Sequence, residues 1–457
     1  MGISMQVLAF FAGLGLLVFV HELGHFIFAR IFNTRVEKFY LFFNIGFSLV
    51  RAKRIDGKLQ YSFLSAKAPE EWAKYPDNTE WGLGWLPLGG YCSIAGMVDE
   101  TKSAKDLASE PQPWEFRSKP AWKRFFIISG GVIMNFVTAI IIYIAIMFSW
   151  GREYIPLENA KYGLMFSNAA QYAGFQNGDK LVSIDGDNPK TINAFIKKLF
   201  VDNPKEVVVL RNNELTTLHL EGDNWKKLLS GEPFCSFNFP FVIDEVVSGL
   251  PAAQAGLKKG DSLVGFNSLQ IYLFSDFQEE FRDSKNREVT LHFYRGDSLR
   301  ATTLFVNEDG KIGAHVQQFK YLQTVTENFD FFESVPEGIK EGISQLTFYV
   351  KQFKRIFSKE GASQLGGFIT IGSIYPKVWN WERFWGMTAF LSVILAFMNV
   401  LPIPVLDGGY ILFILIEMIT RRKPNDKFIG YANTVGLVLI IMLMLYANGM
   451  DFMRLFK

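Results

Sequence analysis

Only two cysteines, Cys92 and Cys235, occur in 457 residues, far apart and in no metal-ligand or disulfide spacing. That excludes a disulfide-stapled fold and a cysteine-built metal site, and each reads as a small packing residue. Charge of one sign is also missing: 47 basic against 45 acidic residues leave +2, too balanced for a nucleic-acid partner. Histidine is scarce, with five in the chain, so a histidine-based site has few places to be. The opening MGISMQ carries no lysine or arginine, and no small-residue cleavage site follows the long apolar run behind it. That segment therefore reads as an anchor that stays, not as a cleaved signal peptide.

What is plentiful is apolar residue: 49% hydrophobic and 16% aromatic, gathered toward both ends. Four stretches approach or exceed the roughly 20 residues a membrane crossing needs. They run from Met5 to Phe32, from Phe125 to Trp150, within Gly386–Ile419 with Pro402 and Pro404 interrupting, and over Phe428–Ala447. Arg30, Arg35 and Lys38 follow the first; Lys119, Lys123 and Arg124 precede the second; Arg421, Arg422, Lys423 and Lys427 fill the loop between the last two. Four spans put both basic loops on one side, which the positive-inside rule makes cytoplasmic. The N-terminus and the long segment 151–384 then face outward.

That outward segment repeats itself. Ala173-Gly174-x-x-x-Gly178-Asp179-x-Leu181-Val182 recurs as Ala255-Gly256-x-x-x-Gly260-Asp261-x-Leu263-Val264, an offset of 82 residues. Each copy leads through a short helix-like piece to a β-rich run, Glu206–Leu210 or Glu288–Tyr294. The unit is too long for a solenoid, so two tandem domains are expected, at 151–232 and 233–320. The core pattern resembles tandem PDZ domains of bacterial envelope proteases, which commonly bind a peptide as an added strand. Neither copy has an obvious carboxylate-binding loop, although Tyr162-Gly163-Leu164-Met165-Phe166 is a partial likeness. Behind them, in 321–383, Val335, Ile339, Ile343, Leu346, Val350, Phe353 and Phe357 recur at helical spacing and predict an amphipathic helix with a packed or membrane-lying face.

On the cytoplasmic side, 33–124 reads as β-rich. Leu49–Ile55 and Lys58–Leu64 flank Asp56-Gly57, a strong hairpin signal. The apolar run Phe39–Phe43 and the stretch Trp85–Tyr91 imply that this region leans on the membrane.

The chemistry lies in the first span. His21-Glu22-Leu23-Gly24-His25 is H-E-x-x-H, and residues four apart share a helix face, so two imidazoles can meet one metal ion while Glu22 reaches its water. Ionisable groups within a span cost about 2.5–3.5 kcal/mol each, and a bound Zn²⁺ is a compensating partner. Catalytic zinc usually takes three protein ligands plus water. In Asn399-Val400-Leu401-Pro402-Ile403-Pro404-Val405-Leu406-Asp407-Gly408-Gly409, Asp407 is the only acid between Glu382 and Glu417 and is the candidate third ligand. The prolines and glycines permit irregular backbone, which a membrane tolerates beside protein or a wet cavity.

HELGH in the first span, paired with N-x-x-P-x-P-x-L-D-G-G in a late one, resembles the site-2 protease family of intramembrane zinc metalloproteases. The outward tandem PDZ-like pair narrows the likeness to a bacterial branch. The resemblance implies one Zn²⁺ held by His21, His25 and Asp407, Glu22 as general base, and substrate handling by Asn399, Pro402 and Pro404. The family's G-P-x-x-N pattern is altered here to Gly130-Gly131-Val132-Ile133-Met134-Asn135, which makes Asn135 a more distant match. Implied partners are single-span membrane proteins such as anti-sigma factors already trimmed by another protease, and sometimes remnant signal peptides. The implied setting is the bacterial inner membrane, with cleavage in its cytoplasmic half: His25 precedes Arg30 by about 7.5 Å of helix. The alternative is a non-catalytic membrane-anchored PDZ scaffold with a structural metal site; an intact Glu22 argues against it. A metal transporter would need more intramembrane acids and histidines than one cluster.

The expected architecture is a polytopic α-helical membrane protein with four transmembrane helices (1–32, 125–150, 384–420 and 426–449). Two extracytoplasmic PDZ-like α+β domains and a cytoplasmic membrane-associated β-hairpin region complete it.

Overall fold

The computed structural model describes residues 2–87, 89–97, 110–201, 204–220, 234–356, 366–376, 378–423 and 425–455. Two compact units emerge: Met1–Gly151 with Asn328–Lys457, and Arg152–Glu327.

The first unit is a helical bundle with one sheet. Its helices are α1 (Gly2–Ile31), α2 (Ala121–Trp150), α3 (Phe331–Ile356), α4 (Phe368–Ser373), α5 (Trp381–Val400), α6 (Asp407–Thr420) and α7 (Asp426–Leu455). Among the described residues four segments are long and apolar enough to cross a membrane: Met5–Ile31, Ala121–Trp150, Trp381–Val400 and Phe428–Met453. Helix α2 packs against α1, α3, α5 and α6. Pro120, with φ −60°, caps its start, where a missing N–H costs nothing, and Gly151 at φ +74° ends it. Helices α1 and α2 meet backbone to backbone at Gly24 and Gly130: a Cβ on Gly130 would lie 2.6 Å from the Gly24 carbonyl oxygen. Only glycine at both positions allows this crossing.

The third span is not one interrupted helix over 384–420. Helix α5 stops at Val400, six residues run irregularly, and α6 restarts at Asp407. Pro402 and Pro404 lack the N–H a continuous helix needs, and Val405 takes a left-handed φ of +84°. Helix α6, at 14 residues, spans about 21 Å and is too short to cross alone. The break sets Asp407 in the first turn of a helix buried against α2.

Helix α3 packs by a different stripe from its periodic apolar residues. Its packed face is the small stripe Ser334, Gly338 and Gly342; a Cβ on either glycine would press on Ile144 or Ile140 of α2. Of the periodic apolar residues, Leu346 joins the α2–α5 core, but Ile339, Ile343 and Val350 are exposed. Small residues let backbones close, while the apolar stripe points away from the bundle. Phe357 lies outside the described residues.

Five strands, β1 (Val36–Leu41), β2 (Ser48–Ile55), β3 (Lys58–Ser65), β4 (Glu80–Leu83) and β5 (Tyr91–Ile94), form one sheet in the order β3-β2-β4-β1-β5. The β2–β3 turn has Asp56 and Gly57 at φ +48° and +79°, the double left-handed geometry that Asp-Gly favours. On one face Phe39 of β1 packs against Phe19 and Phe26 of α1, at 5.7 and 5.9 Å between ring centroids. Farther along the same face Leu59, Tyr61 and Phe63 of β3 are exposed. The opposite face buries a polar cluster. The Tyr40 hydroxyl donates to Glu80 Oε1 at 2.5 Å, and Arg51 reaches the same oxygen at 3.2 Å and the Ser65 and Ala66 carbonyls at 3.1 and 3.0 Å. Burial, helped by the Glu80 carboxylate, pushes the Tyr40 phenol above its ordinary range. The Tyr40 ring stacks flat on Tyr91, with centroids 5.0 Å apart, which ties β5 to β1.

The second unit holds two lobes built alike, each with a small apolar core. Phe166, Phe175, Phe195 and Val209 represent one, and Phe241, Phe266, Phe277 and Leu291 the other. The repeated Gly-Asp acquires the same partner in each. Asp179 pairs with Arg211 at 2.7 Å and Asp261 with Arg295 at 2.6 Å. The same guanidinium also donates to the carbonyl of Gly174 or Gly256, 2.8 Å in both lobes. Two-pronged pairing of this kind pins the turn entering Lys180–Ile184 or Ser262–Phe266. Tyr162–Phe166 supplies the strand Leu164–Phe166, paired to Cys235–Phe237. The unit's two ends meet as a ribbon, Arg152–Tyr154 against Val325–Glu327.

Candidate metal centre

One helical turn separates His21 from His25, and their rings stand nearly perpendicular with centroids 4.9 Å apart. Their Nε2 atoms converge to 3.3 Å. The start of α6 brings Asp407 to the same point, with Oδ2 at 3.2 Å from His21 Nε2 and 3.5 Å from His25 Nε2. Ligand atoms of all three lie within 4.8 Å of one another, the only such His/Cys/Asp/Glu group among the described residues. Asp407 Oδ2 is buried and receives no hydrogen bond there. A buried carboxylate oxygen facing two imidazole nitrogens at this separation fits a cation between them.

The residues behind the rings support the same fit. His25 Nδ1 lies 2.9 Å from the Ile127 carbonyl oxygen, so Nδ1–H donates there and the Nε2 lone pair is left for a cation. Asn135, fully buried on α2, has its amide Nδ2 3.3 Å from His21 Nδ1, and its Oδ1 has no hydrogen-bond partner among the described residues. With that oxygen turned to the ring, His21 Nδ1–H donates to it and Nε2 again faces inward. Gly131 makes the room: a Cβ there would lie 2.5 Å from His21 Cε1 and 2.6 Å from His25 Nε2.

The group opens on a cavity of about 520 Å³ that Glu22 and Asn399 also line. Asn399 Nδ2 is 3.4 Å from His21 Nε2. Glu22 lines this cavity together with Cys92 of β5. Of the residues singled out in the sequence, His21, Glu22, His25, Asn399 and Asp407 are therefore brought together. Asn135 sits behind His21, out of the cavity lining, and Pro402 and Pro404 are also outside that lining and shape the turn before Asp407. Glu417, the next acid along α6, is engaged by Arg124 of α2 at 2.5 Å.

Several cavity residues escaped sequence reasoning. Tyr91 and Cys92 come from the outer strand of the sheet, Tyr410 from α6, and Asn433 and Thr434 from α7. Tyr410 follows Asp407 by three residues, hence on the same face, and Asn433 is an amide inside an apolar span. Both were available signals.

A family model described as Peptidase family M50 matches residues 9–66 and 67–443. The chain is similar to "Putative zinc metalloprotease RSc1411" of Ralstonia nicotianae, 26% identical with 99% of each chain covered. It is 27% identical to "Putative zinc metalloprotease" of Vibrio cholerae serotype O1, with 98% of each covered. "Protease RseP" of Yersinia pestis is 26% identical over all of both chains.

Proposed function

The chain belongs to peptidase family M50, and from that membership and the cavity we propose that it is a zinc metalloprotease that hydrolyses peptide bonds of single-span membrane proteins within the bilayer. One observation carries the reading: His21, His25 and Asp407 converge beside Glu22 in a cavity walled by apolar spans. Those three would hold the ion, which when bound supplies Lewis acidity and an acidified water. Glu22, which is not among the ligands, takes a proton from the attacking water and returns it to the leaving nitrogen. Asn135 and the Ile127 carbonyl orient the two imidazoles. That role suits a fully buried Asn135 better than substrate contact. Asn399, on the cavity wall, remains placed to handle substrate.

A helical substrate must unwind before its carbonyls can be attacked. The outer strand β5, whose Tyr91 and Cys92 line the cavity, is the edge on which an unwound segment is held. The exposed Leu59, Tyr61 and Phe63 suit a sheet that dips into lipid. We read the sheet side, flanked by the basic loops, as facing the cytoplasm of a bacterial inner membrane. The two lobes of the second unit are PDZ-like domains on the outer side. We read them as a filter that obstructs untrimmed substrates, and the substrates as anti-sigma-like single-span proteins, or remnant signal peptides, shortened by another protease.

Glu22→Gln tests the core of this. It removes the base and no ligand, so the purified variant should keep its zinc and lose cleavage of a tagged single-span protein by about 10²–10⁴-fold. Undiminished cleavage by the variant would remove Glu22 from the role of base, and no cleavage by the wild-type protein would return the non-catalytic scaffold to favour.

A further inference from the structure

An unwound peptide in a bilayer has a difficulty that a strand edge solves only by half. Pairing with β5 satisfies the N–H and C=O groups on one side of the peptide, and those on the other side point away from the sheet. In an aqueous cleft water would take them. Within a span each unpaired group costs several kcal/mol. The cavity therefore needs polar groups on a wall other than β5.

Helix α7 provides one. Asn433 lines the cavity together with Thr434 and Leu437. Its Nδ2 donates to the Tyr410 hydroxyl at 3.0 Å, while its Oδ1 is buried and has no hydrogen-bond partner among the described residues. An amide in an apolar span with one end anchored and the other unsatisfied is costly in the free protein. With Nδ2 held by Tyr410, Oδ1 is the end of the amide left to accept a hydrogen bond from a group that enters the cavity. The Thr434 hydroxyl is already satisfied by donating to the Gly430 carbonyl at 2.9 Å, so Asn433 Oδ1 is the acceptor on this wall that burial leaves without a partner among the described residues.

We propose that Asn433, anchored by Tyr410, is a substrate-binding residue that takes a backbone N–H of the unwound substrate on the side away from β5. The inference rests on the proteolytic reading above and adds a partner to it.

The test uses the full-length protein purified in detergent and a series of peptides spanning one cleaved segment. In each peptide a single amide other than the scissile one is replaced by an ester, which deletes one N–H. Besides the positions whose N–H pairs with β5, wild-type protein should lose about tenfold in kcat/KM at one further position of the scan, the one facing Asn433. Asn433→Leu and the milder Asn433→Ser should start about tenfold lower on the all-amide peptide and be indifferent to the ester at that position. Zinc content should match wild type in both. Tyr410→Phe, which frees the amide from its anchor, should give a smaller loss at the same position. Wild-type rates in both Asn433 variants, or undiminished sensitivity to every ester, would overturn this inference alone. Absence of any Glu22-dependent cleavage by wild-type protein would overturn the proteolytic reading, and this inference with it.

Discussion

Replacing Gly131 by alanine sets two well-known effects against each other at one atom. Gly131 is in the interior of α2, where helix propensity favours alanine by about 1 kcal/mol. Steric room says the opposite. The added Cβ would meet His21 Cε1 at 2.5 Å, His25 Nε2 at 2.6 Å and His21 Nδ1 at 2.7 Å, where ordinary contacts begin at 3.4 Å. The rings must retreat by about 1 Å, whereas metal–ligand distances tolerate only about 0.2 Å. His25 cannot retreat without breaking its bond to the Ile127 carbonyl. Gly131→Ala should therefore keep the fold and its melting temperature within a few degrees, yet lose most bound zinc and at least about 10²-fold in cleavage. Gly386→Ala, which would meet nothing within 4 Å, is the control and should leave zinc and activity unchanged. Gly24→Ala differs from both, because its Cβ would meet the Gly130 carbonyl and push the two helices apart, so stability should fall as well. The assay is metal analysis and thermal melting on purified protein, alongside cleavage. Full zinc occupancy and full activity in Gly131→Ala would refute the reasoning, because the imidazoles would then not be held where they meet.

Three further outcomes are expected. Asp407→Ala removes the only carboxylate that reaches both imidazoles, so zinc occupancy should drop by at least tenfold at limiting metal; unchanged occupancy would exclude it as a ligand. Arg124→Leu and Glu417→Leu each strand a mostly buried charge and should cost about 3–5 kcal/mol, read as a lower melting temperature, while the double variant recovers most of the loss. Deleting 160–315 should let untrimmed substrates be cleaved if the two lobes act as a filter; loss of even trimmed substrates would favour peptide capture, and no change in either would leave the lobes as spacers.

Much of the helical bundle was legible because its signals are local. Uninterrupted apolar runs announce the spans, and Asp56-Gly57 announces the one tight hairpin of the sheet. The repeated Gly-Asp announces two like lobes, although not the arginines that clasp them, because Arg211 and Arg295 lie on later strands. The periodicity of α3 was legible as a helix but not in its orientation. Which stripe packs depends on what surrounds the helix, and here Gly338 and Gly342 close on α2 while Ile339 and Ile343 stay outside.

For the site, the sequence by itself determined that His21 and His25 share a face with Glu22 beside them, because the pitch of one helix dictates it. It also singled out Asp407 as the acid beside a proline break. That the carboxylate reaches both imidazoles was decided by tertiary structure, through the crossing of α1 and α2 at Gly24 and Gly130 and the restart of α6 against α2. Asn135 behind one ring, Tyr91 and Cys92 along the cavity, and Asn433 on its α7 wall belong to the same category. Each is positioned by how separate helices and a sheet are rotated against one another. That rotation is set by which surfaces fit, and spacing along the chain does not contain it.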